Sequence, residues 1–254
     1  MDEPDRIEGR NPVREALRAG RPIRRILIAD GVADRGALGA LGEIVATAAS
    51  AGVRVERVPR PVLDKIATGR AHQGIIAEAE PYRYRSWEDA VAAAKERGEV
   101  PLLLALDGVT DPGNLGSLIR SAEAAGAHAV LVPKRRAAPV TPTVEKASAG
   151  AIEHLPIDRV PNLERALVRA KGLGLWVVGL DGDAETALWD SHLFTEPLVL
   201  VVGAEGKGIS RLVAERADAL VRIPMLGRLG SLNAAMAGAI ALFEASRRRS
   251  GDDD

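Results

Sequence analysis

The sequence contains no cysteine, which excludes a disulfide framework, a thiolate nucleophile, a zinc–thiolate site and an iron–sulfur cluster. Its four histidines, His72, His128, His154 and His192, stand apart without ligand spacing, so no dedicated metal site is expected. Aromatic residues make up only 3% of the chain, too few for a stacking platform that would hold single-stranded bases. No run approaches the ~18 uninterrupted apolar residues of a spanning helix. The opening Met1-Asp2-Glu3-Pro4-Asp5 lacks the basic-then-apolar profile of a secretory signal, and a cytoplasmic location is expected. Charge of one sign is also missing: 34 basic residues face 35 acidic ones, a net charge of −1, so bulk charge points to no polyanionic partner.

What remains is an ordinary globular composition, 46% hydrophobic and 27% charged over 254 residues, enough for one large core or two modest ones. The pattern favours two. Asn11-Pro12 to Gly20 reads as a capped short helix. It is followed by an apolar run at 26–29, a helical stretch at 35–51, a strand at 53–58, a helix near 61–68 and a strand at 74–77. Strand and helix alternate, which implies a small α/β domain over 1–80. Pro81-Tyr82-Arg83-Tyr84-Arg85 breaks both periodicities and, with the helix at 87–97, is assigned to a connecting segment over 81–99. From 100 to 254 strands are expected at 101–106, 129–132, 155–158, 174–180, 198–202 and 219–223. Helices between and after them are expected at 115–125, 142–150, 162–171, 209–217 and 231–247. Leu102–Leu106 and Leu198–Val202 are apolar without a break, as strands of a parallel sheet covered on both faces should be.

Charge is uneven along the chain. Between Arg6 and Arg25 seven arginines stand against Glu8 and Glu15, a local excess of five positive charges in an otherwise slightly acidic protein. A solvated helix face is the plain alternative to an anion-binding surface. The tail Arg247-Arg248-Arg249 followed by Asp252-Asp253-Asp254 cancels its own charge and is expected to fray.

In open α/β sheets ligands bind beyond the carboxyl ends of the strands, so chemistry is sought in the strand-to-helix turns. Three stand out. In Asp107-Gly108-Val109-Thr110-Asp111-Pro112-Gly113-Asn114 and the helix after it, Leu115, Leu118, Ile119 and Ala122 form a buried stripe that leaves Arg120 roughly 140° away. Arg120 is therefore no core residue, and Asn114 is either a helix cap or a functional amide. Gly203-Ala204-Glu205-Gly206-Lys207-Gly208 is glycine-rich but fits neither a phosphate loop nor a dinucleotide fingerprint. Glu205 would repel a phosphate, whereas bare backbone can approach a neutral adenosine closely. The third turn, Ile223-Pro224-Met225 to Ser231-Leu232-Asn233, leads into a helix apolar on all sides up to Phe243, the pattern of a helix covered all round, a second subunit included. Ser231 is a natural cap for it, and Asn233, its one large polar group, needs partners because a buried unpaired amide costs ~1–3 kcal/mol.

These three turns, in this order, resemble the three motifs of the SpoU (TrmH-type) RNA 2′-O-ribose methyltransferases of the SPOUT superfamily, over about Leu102 to Arg247. The opening Gly9-Arg10-Asn11-Pro12-Val13-Arg14-Glu15 is similar to the start of an L30e-like RNA-binding domain in the subgroup that modifies a guanosine of 23S rRNA. The resemblance implies a small L30e-like α/β domain followed by a parallel-sheet SPOUT domain with a C-terminal trefoil knot. It implies S-adenosylmethionine as cofactor. The helix from Ser231 to Phe243 is too apolar for a solvent-facing terminal helix, so a homodimer paired through the C-terminal domain is expected. By the same resemblance Asn114, Arg120, Glu205, Ser231 and Asn233 form the catalytic site, and Gly203, Ile223 and Leu232 cradle the cofactor. Arg120 would act on the 2′-hydroxyl. Arg10, Arg14, Arg18, Arg21 and Arg24 are then the expected RNA contacts. Three alternatives stay open: a tRNA ribose, another 23S rRNA site, or a non-catalytic RNA-binding protein.

Overall fold

The computed structural model describes residues 4–32, 39–67, 72–228 and 230–250; parts of the helices expected over 35–51 and near 61–68 lie outside these. The chain divides into two compact units, Met1–Arg83 with Val140–His154, and Tyr84–Pro139 with Leu155–Asp254.

The first unit alternates β1 (Asp5–Glu8), α1 (Arg10–Arg18), β2 (Ile23–Ala29), α2 (Ala40–Ser50), β3 (Arg54–Val58), α3 (Arg60–Ile66) and β4 (Ile75–Ala79). Its sheet runs β1-β4-β2-β3, with β4 antiparallel to both neighbours and β2 parallel to β3. The helical period turns Val13, Ala16 and Leu17 of α1 inward, where they bury with Ile26, Ile28, Leu41, Ile44 and Ile75. α1 begins one residue earlier than Asn11, after Gly9 and without a side-chain cap. Asn11 is therefore no cap, and Pro12 sits in the first turn, whose N–H groups have no intrahelical acceptor anyway.

The second unit opens with α4 (Trp87–Glu96), β5 (Leu102–Asp107), α5 (Pro112–Ala124) and β6 (Ala129–Pro133). The chain then contributes α6 (Pro142–Ala147) and a 3-10 turn, Ala151–Glu153, to the first unit, a segment that the sequence pattern groups with the second. Back in the second unit come β7 (Ile157–Val160), α7 (Leu163–Gly172), β8 (Trp176–Leu180), β9 (Thr186–Ala187), β10 (Leu198–Gly203), α8 (Arg211–Ala214), β11 (Ala219–Arg222) and α9 (Ala234–Ser250). Its seven strands pair in parallel throughout, in the order β7-β6-β5-β10-β8-β11-β9. The uninterrupted apolar strands β5 and β10 lie side by side at the centre and are buried along their length apart from Asp107. All the strands open their carboxyl ends at one edge. α9 packs on α5, and Gly238 makes the approach possible: a Cβ there would lie 2.3 Å from Leu118 Cδ2.

Of the tail expected to fray, the arginines hold partners, while Asp252-Asp253-Asp254 lie outside the described residues. Arg248 donates to Ser191 O at 2.8 Å, and Arg249 to Phe194 O at 3.0 Å and Val100 O at 3.1 Å. Carbonyls left over at loop ends thus find donors in the last turn of α9. Burial lowers the Arg249 pKa to about 10. Within one chain α9 leaves Met236 and Phe243, seven residues apart on one face, exposed.

The first unit holds a charged cluster in its interior. Arg21 donates to Asp5 Oδ2, Glu145 Oε1 and Glu153 Oε1, each at 2.8 Å, with the Tyr82 ring centroid 5.8 Å from its Cζ. The Arg21 side chain is only 6% exposed.

Candidate functional site

The carboxyl-end turns of β5 and β10 and the start of α9 meet through side chains that capping geometry orients. Asp111 caps α5, accepting from the Asn114 N–H at 2.7 Å, so the Asn114 side chain is left free for the site. At α9 the cap is Asn233, not Ser231: its Oδ1 accepts from the Ala235 N–H at 2.8 Å. That bond fixes which end of the amide faces outward. Asn233 Nδ2 donates to Asn114 Oδ1 at 3.0 Å and lies 3.3 Å from Glu205 Oε2, while Asn114 Nδ2 donates to the same oxygen at 3.3 Å. Three residues up to 119 positions apart in sequence thus form one directional network ending on a carboxylate.

Backbone geometry holds the turns together. Asp107 Oδ2 accepts from the Ser210 N–H at 2.7 Å, tying the first turn to the second. The second folds back on itself with Ala204 and Gly208 exchanging two backbone hydrogen bonds of 3.1 and 2.9 Å. A Cβ on Gly203 would fall 2.1 to 2.4 Å from the backbone of Gly208 and Ile209, so only glycine permits this close pairing.

Beside the network lies a cavity of about 380 Å³, lined by Gly203, Glu205, Ile223, Ser231 and Leu232 among others, within the size range of small-molecule sites. Asp181 and Asp183 also line it. They come from the turn after β8, a fourth carboxyl-end turn, whose Asp-Gly-Asp sequence is a readable signal that lies outside the three motifs. Of the lining cations, Arg222 is held by the carbonyls of Ala184 and Glu185, which leaves Lys207 against three carboxylates. Such a lining disfavours a phosphate and suits a flat neutral group with a cationic centre. S-adenosylmethionine, a nucleoside carrying a sulfonium, fits that description.

Arg120 stands apart from this network. It is exposed and makes no hydrogen bond or ion pair with the described residues, while Leu115, Leu118, Ile119 and Ala122 on the other side of α5 are fully buried. By helix geometry it lies about 9 Å along α5 from Asn114. Ser231 is exposed at the cavity rim; Leu229, just before it, lies outside the described residues. Among the described residues no group of three His, Asp or Glu side chains could hold a metal ion, and no helix is long and apolar enough to cross a membrane.

The expected RNA contacts fare unequally. Arg21 must be withdrawn, because its guanidinium is buried and fully engaged by three carboxylates. Arg18 pairs with Glu15 and Glu43, Arg14 with Glu15 and Arg24 with Glu80, all with part of the side chain in solvent. Arg10 has no carboxylate partner among the described residues, and its Nε is buried without a hydrogen bond. The excess of positive charge in the sequence window is thus largely met in space by acids from elsewhere in the chain.

Comparison with known proteins supplies the context. Residues 101–243 match the model of the SpoU rRNA Methylase family, and residues 6–85 that of RNA 2′-O ribose methyltransferase substrate binding. A Bacillus subtilis protein named as a TrmH-family tRNA/rRNA methyltransferase, YacO, is 42% identical over 247 residues, covering 96% of each chain. The crystal structure of the SpoU methyltransferase AviRb from Streptomyces viridochromogenes with AdoMet superposes with a TM-score of 0.79 at 28% identity, covering 96% of this chain and 90% of that one. An AdoMet-bound rRNA methyltransferase from Sinorhizobium meliloti gives 0.73 at 26% identity, covering 97% and 87%.

Proposed function

This chain belongs to the SpoU methyltransferase family, and on that premise we propose that it methylates the 2′-hydroxyl of a guanosine ribose in 23S rRNA. That it is an S-adenosylmethionine-dependent RNA methyltransferase follows from the family; the nucleotide, the residue roles and the assembly are our reading. The observation that carries it is the Asn114–Glu205–Asn233 network beside a cavity walled by Gly203, Ile223 and Leu232.

When bound, S-adenosylmethionine supplies an electrophilic methyl carbon on a sulfonium. The protein's share is then to orient the acceptor oxygen and ease the loss of its proton. Backbone at Gly203, Ile223 and Leu232 holds the adenosine, and the carboxylates of Asp181, Asp183 and Glu205 suit the positive end. Asn114, Asn233 and Ser231 position the acceptor ribose. Arg120 works on the 2′-hydroxyl as a cation: its guanidinium keeps its proton at neutral pH and so has no free nitrogen to act as the base, and it stabilises the oxygen as charge develops, with an RNA phosphate nearby as the proton's destination. The trefoil knot implied by the family is part of this reading.

Two further elements complete it. Residues 6–85 hold RNA, with Arg10, Arg14, Arg18 and Arg24 as contacts; Arg21 is not among them. Two copies pair through the face of α9 that exposes Met236 and Phe243, since apolar residues of that size on one helix face favour a partner over water. The choice of 23S rRNA over tRNA is supported by the likeness of both units together to an rRNA methyltransferase. Mapping of ribose methylation in 23S rRNA and tRNA from a strain lacking the gene tests it. Loss of one guanosine methylation in 23S rRNA is expected, and loss confined to tRNA would overturn the assignment.

A further inference from the structure

The loop after β6 carries Lys134, Arg135 and Arg136, three adjacent cations that are all exposed. β6 runs parallel beside β5, with Leu131 opposite Ala105, so this loop opens at the same edge of the sheet as the turns of Asp107 and Gly203. It is also fastened to the first of those turns: the buried Ala138 donates its N–H to the carbonyl of the buried Val109 at 3.2 Å. On its other side Lys134 donates its N–H to Val160 O at 2.9 Å, and its carbonyl accepts from Arg159 Nη2 at 3.1 Å. Arg136 takes a left-handed φ of 59°, a conformation uncommon for a residue with a side chain. The loop is therefore anchored at both ends and bent in between.

Its charge is left open. No carboxylate forms an ion pair with Lys134, Arg135 or Arg136 among the described residues. Arg18, Arg21 and Arg25, by contrast, each meet two or more acids. Three like charges in a row repel one another, and an unpaired guanidinium presents a planar fork that matches a phosphate. The place, the anchoring and the uncompensated charge agree with one kind of partner, a phosphate backbone passing the carboxyl edge of the sheet.

We propose that Lys134, Arg135 and Arg136 bind phosphates of the RNA strand that carries the acceptor nucleotide, so that the catalytic unit grips RNA on its own account. The inference rests on the reading of the protein as an RNA methyltransferase and adds to it a positioning site outside residues 6–85.

The test compares the full-length protein with R135A/R136A and R135K/R136K. Three quantities are measured: binding of in-vitro-transcribed 23S rRNA on filters between 0.05 and 0.4 M salt, methyl transfer to the same RNA, and S-adenosylmethionine affinity by calorimetry. Each phosphate that is no longer neutralised lowers the slope of log affinity against log salt by ~0.7 to 0.9. Freeing two phosphates then weakens binding roughly 25- to 60-fold at 0.1 M salt, taking their effect as nil at 1 M. The alanine variant is expected to show that weakening, a matching rise in KM for RNA, an unchanged kcat at saturating RNA and unchanged cofactor affinity. The lysine variant keeps the charge and should keep most of the slope. RNA affinity and slope within twofold of the wild type in the alanine variant would overturn the inference. Should the wild type bind this RNA but methylate only tRNA, the assignment to 23S rRNA fails, and the salt slopes still decide the loop's role.

Discussion

Replacing Glu145 with glutamine should stabilise the first unit at pH 8 and leave it nearly unchanged near pH 4.5. One guanidinium, Arg21, faces the carboxylates of Asp5, Glu145 and Glu153, and it cannot neutralise all three. Glu145 is the most enclosed, with 3% of its side chain exposed and its Oε2 buried without a hydrogen bond. Burial drives its carboxyl up, Asp5 and Glu153 add repulsion, and Arg21 opposes both; the outcome is a pKa raised from 4.5 to about 7. Arg21 itself is held protonated above its ordinary range by Glu145 and Glu153, so the proton that moves belongs to the acid. The sign follows from linkage. Below pH 4.5 both folded and unfolded chains hold the proton. Between 4.5 and 7 the unfolded chain releases it and the folded one does not, so the group's contribution to stability declines. A shift of this size corresponds to roughly 3 kcal/mol as an upper bound. Glutamine keeps the volume and an oxygen for Arg21 but carries no proton to lose, so the variant escapes the decline. Because the tryptophans, Trp87, Trp176 and Trp189, all belong to the second unit, hydrogen exchange of peptides from α1 and β2 is the suitable assay, run on both proteins at pH 5 and pH 8 with the intrinsic exchange rate corrected. A difference between variant and wild type that does not change with pH would refute the reasoning, and a glutamine variant less stable at pH 8 would show Glu145 to be ionised and paired.

The other predictions concern the second unit. Gly203→Ala forces apart the backbone of Gly208 and Ile209; overpacking of ~1–3 kcal/mol should weaken S-adenosylmethionine binding about tenfold or more by calorimetry, and an unchanged affinity would disprove the cradle. Arg120→Ala should cut methyl transfer by ~100-fold or more with cofactor affinity and melting temperature preserved, since the exposed Arg120 makes no hydrogen bond or ion pair with the described residues; wild-type turnover would remove it from the mechanism. Phe243→Glu should turn a dimer into a monomer in sedimentation velocity at micromolar concentration, and a dimer that survives the charge would place the interface elsewhere.

The second unit is the more legible of the two in the sequence. β5 and β10 can be read because a strand covered on both faces has no polar position to confuse the pattern. The stripe of Leu115, Leu118, Ile119 and Ala122 marks the buried side of α5 in the same way. Asn114, Glu205 and Asn233 can be nominated, but their convergence depends on strand order, which no local pattern contains. The cap of α9 falls on Asn233 and not on Ser231, although serine and asparagine are equally good caps, because the path of the turn decides between them. The two residues of β9 are too few for periodicity, and α8 is shorter than its pattern because the turn before it remains extended to Ser210. The arginines are hardest to read. Charge along a chain says little about charge in space when the acids that meet it come from positions 43, 80, 145 and 153.

The first unit is discontinuous, and this sets an order of events on the ribosome. When Arg83 has been added, the strands and helices of that unit are complete up to β4, yet the guanidinium of Arg21 still lacks Glu145 and Glu153. A buried cation without its anions is costly, so the interior around Arg21 stays hydrated until roughly 70 more residues have been made, about 4 to 14 s at ~5–20 residues per second. By then β5, α5 and β6 have already been synthesised. The nascent chain must therefore return to finish its first unit partway through the second, and excision of residues 1–80 would strand α6 and the turn after it without the surface they were made to close.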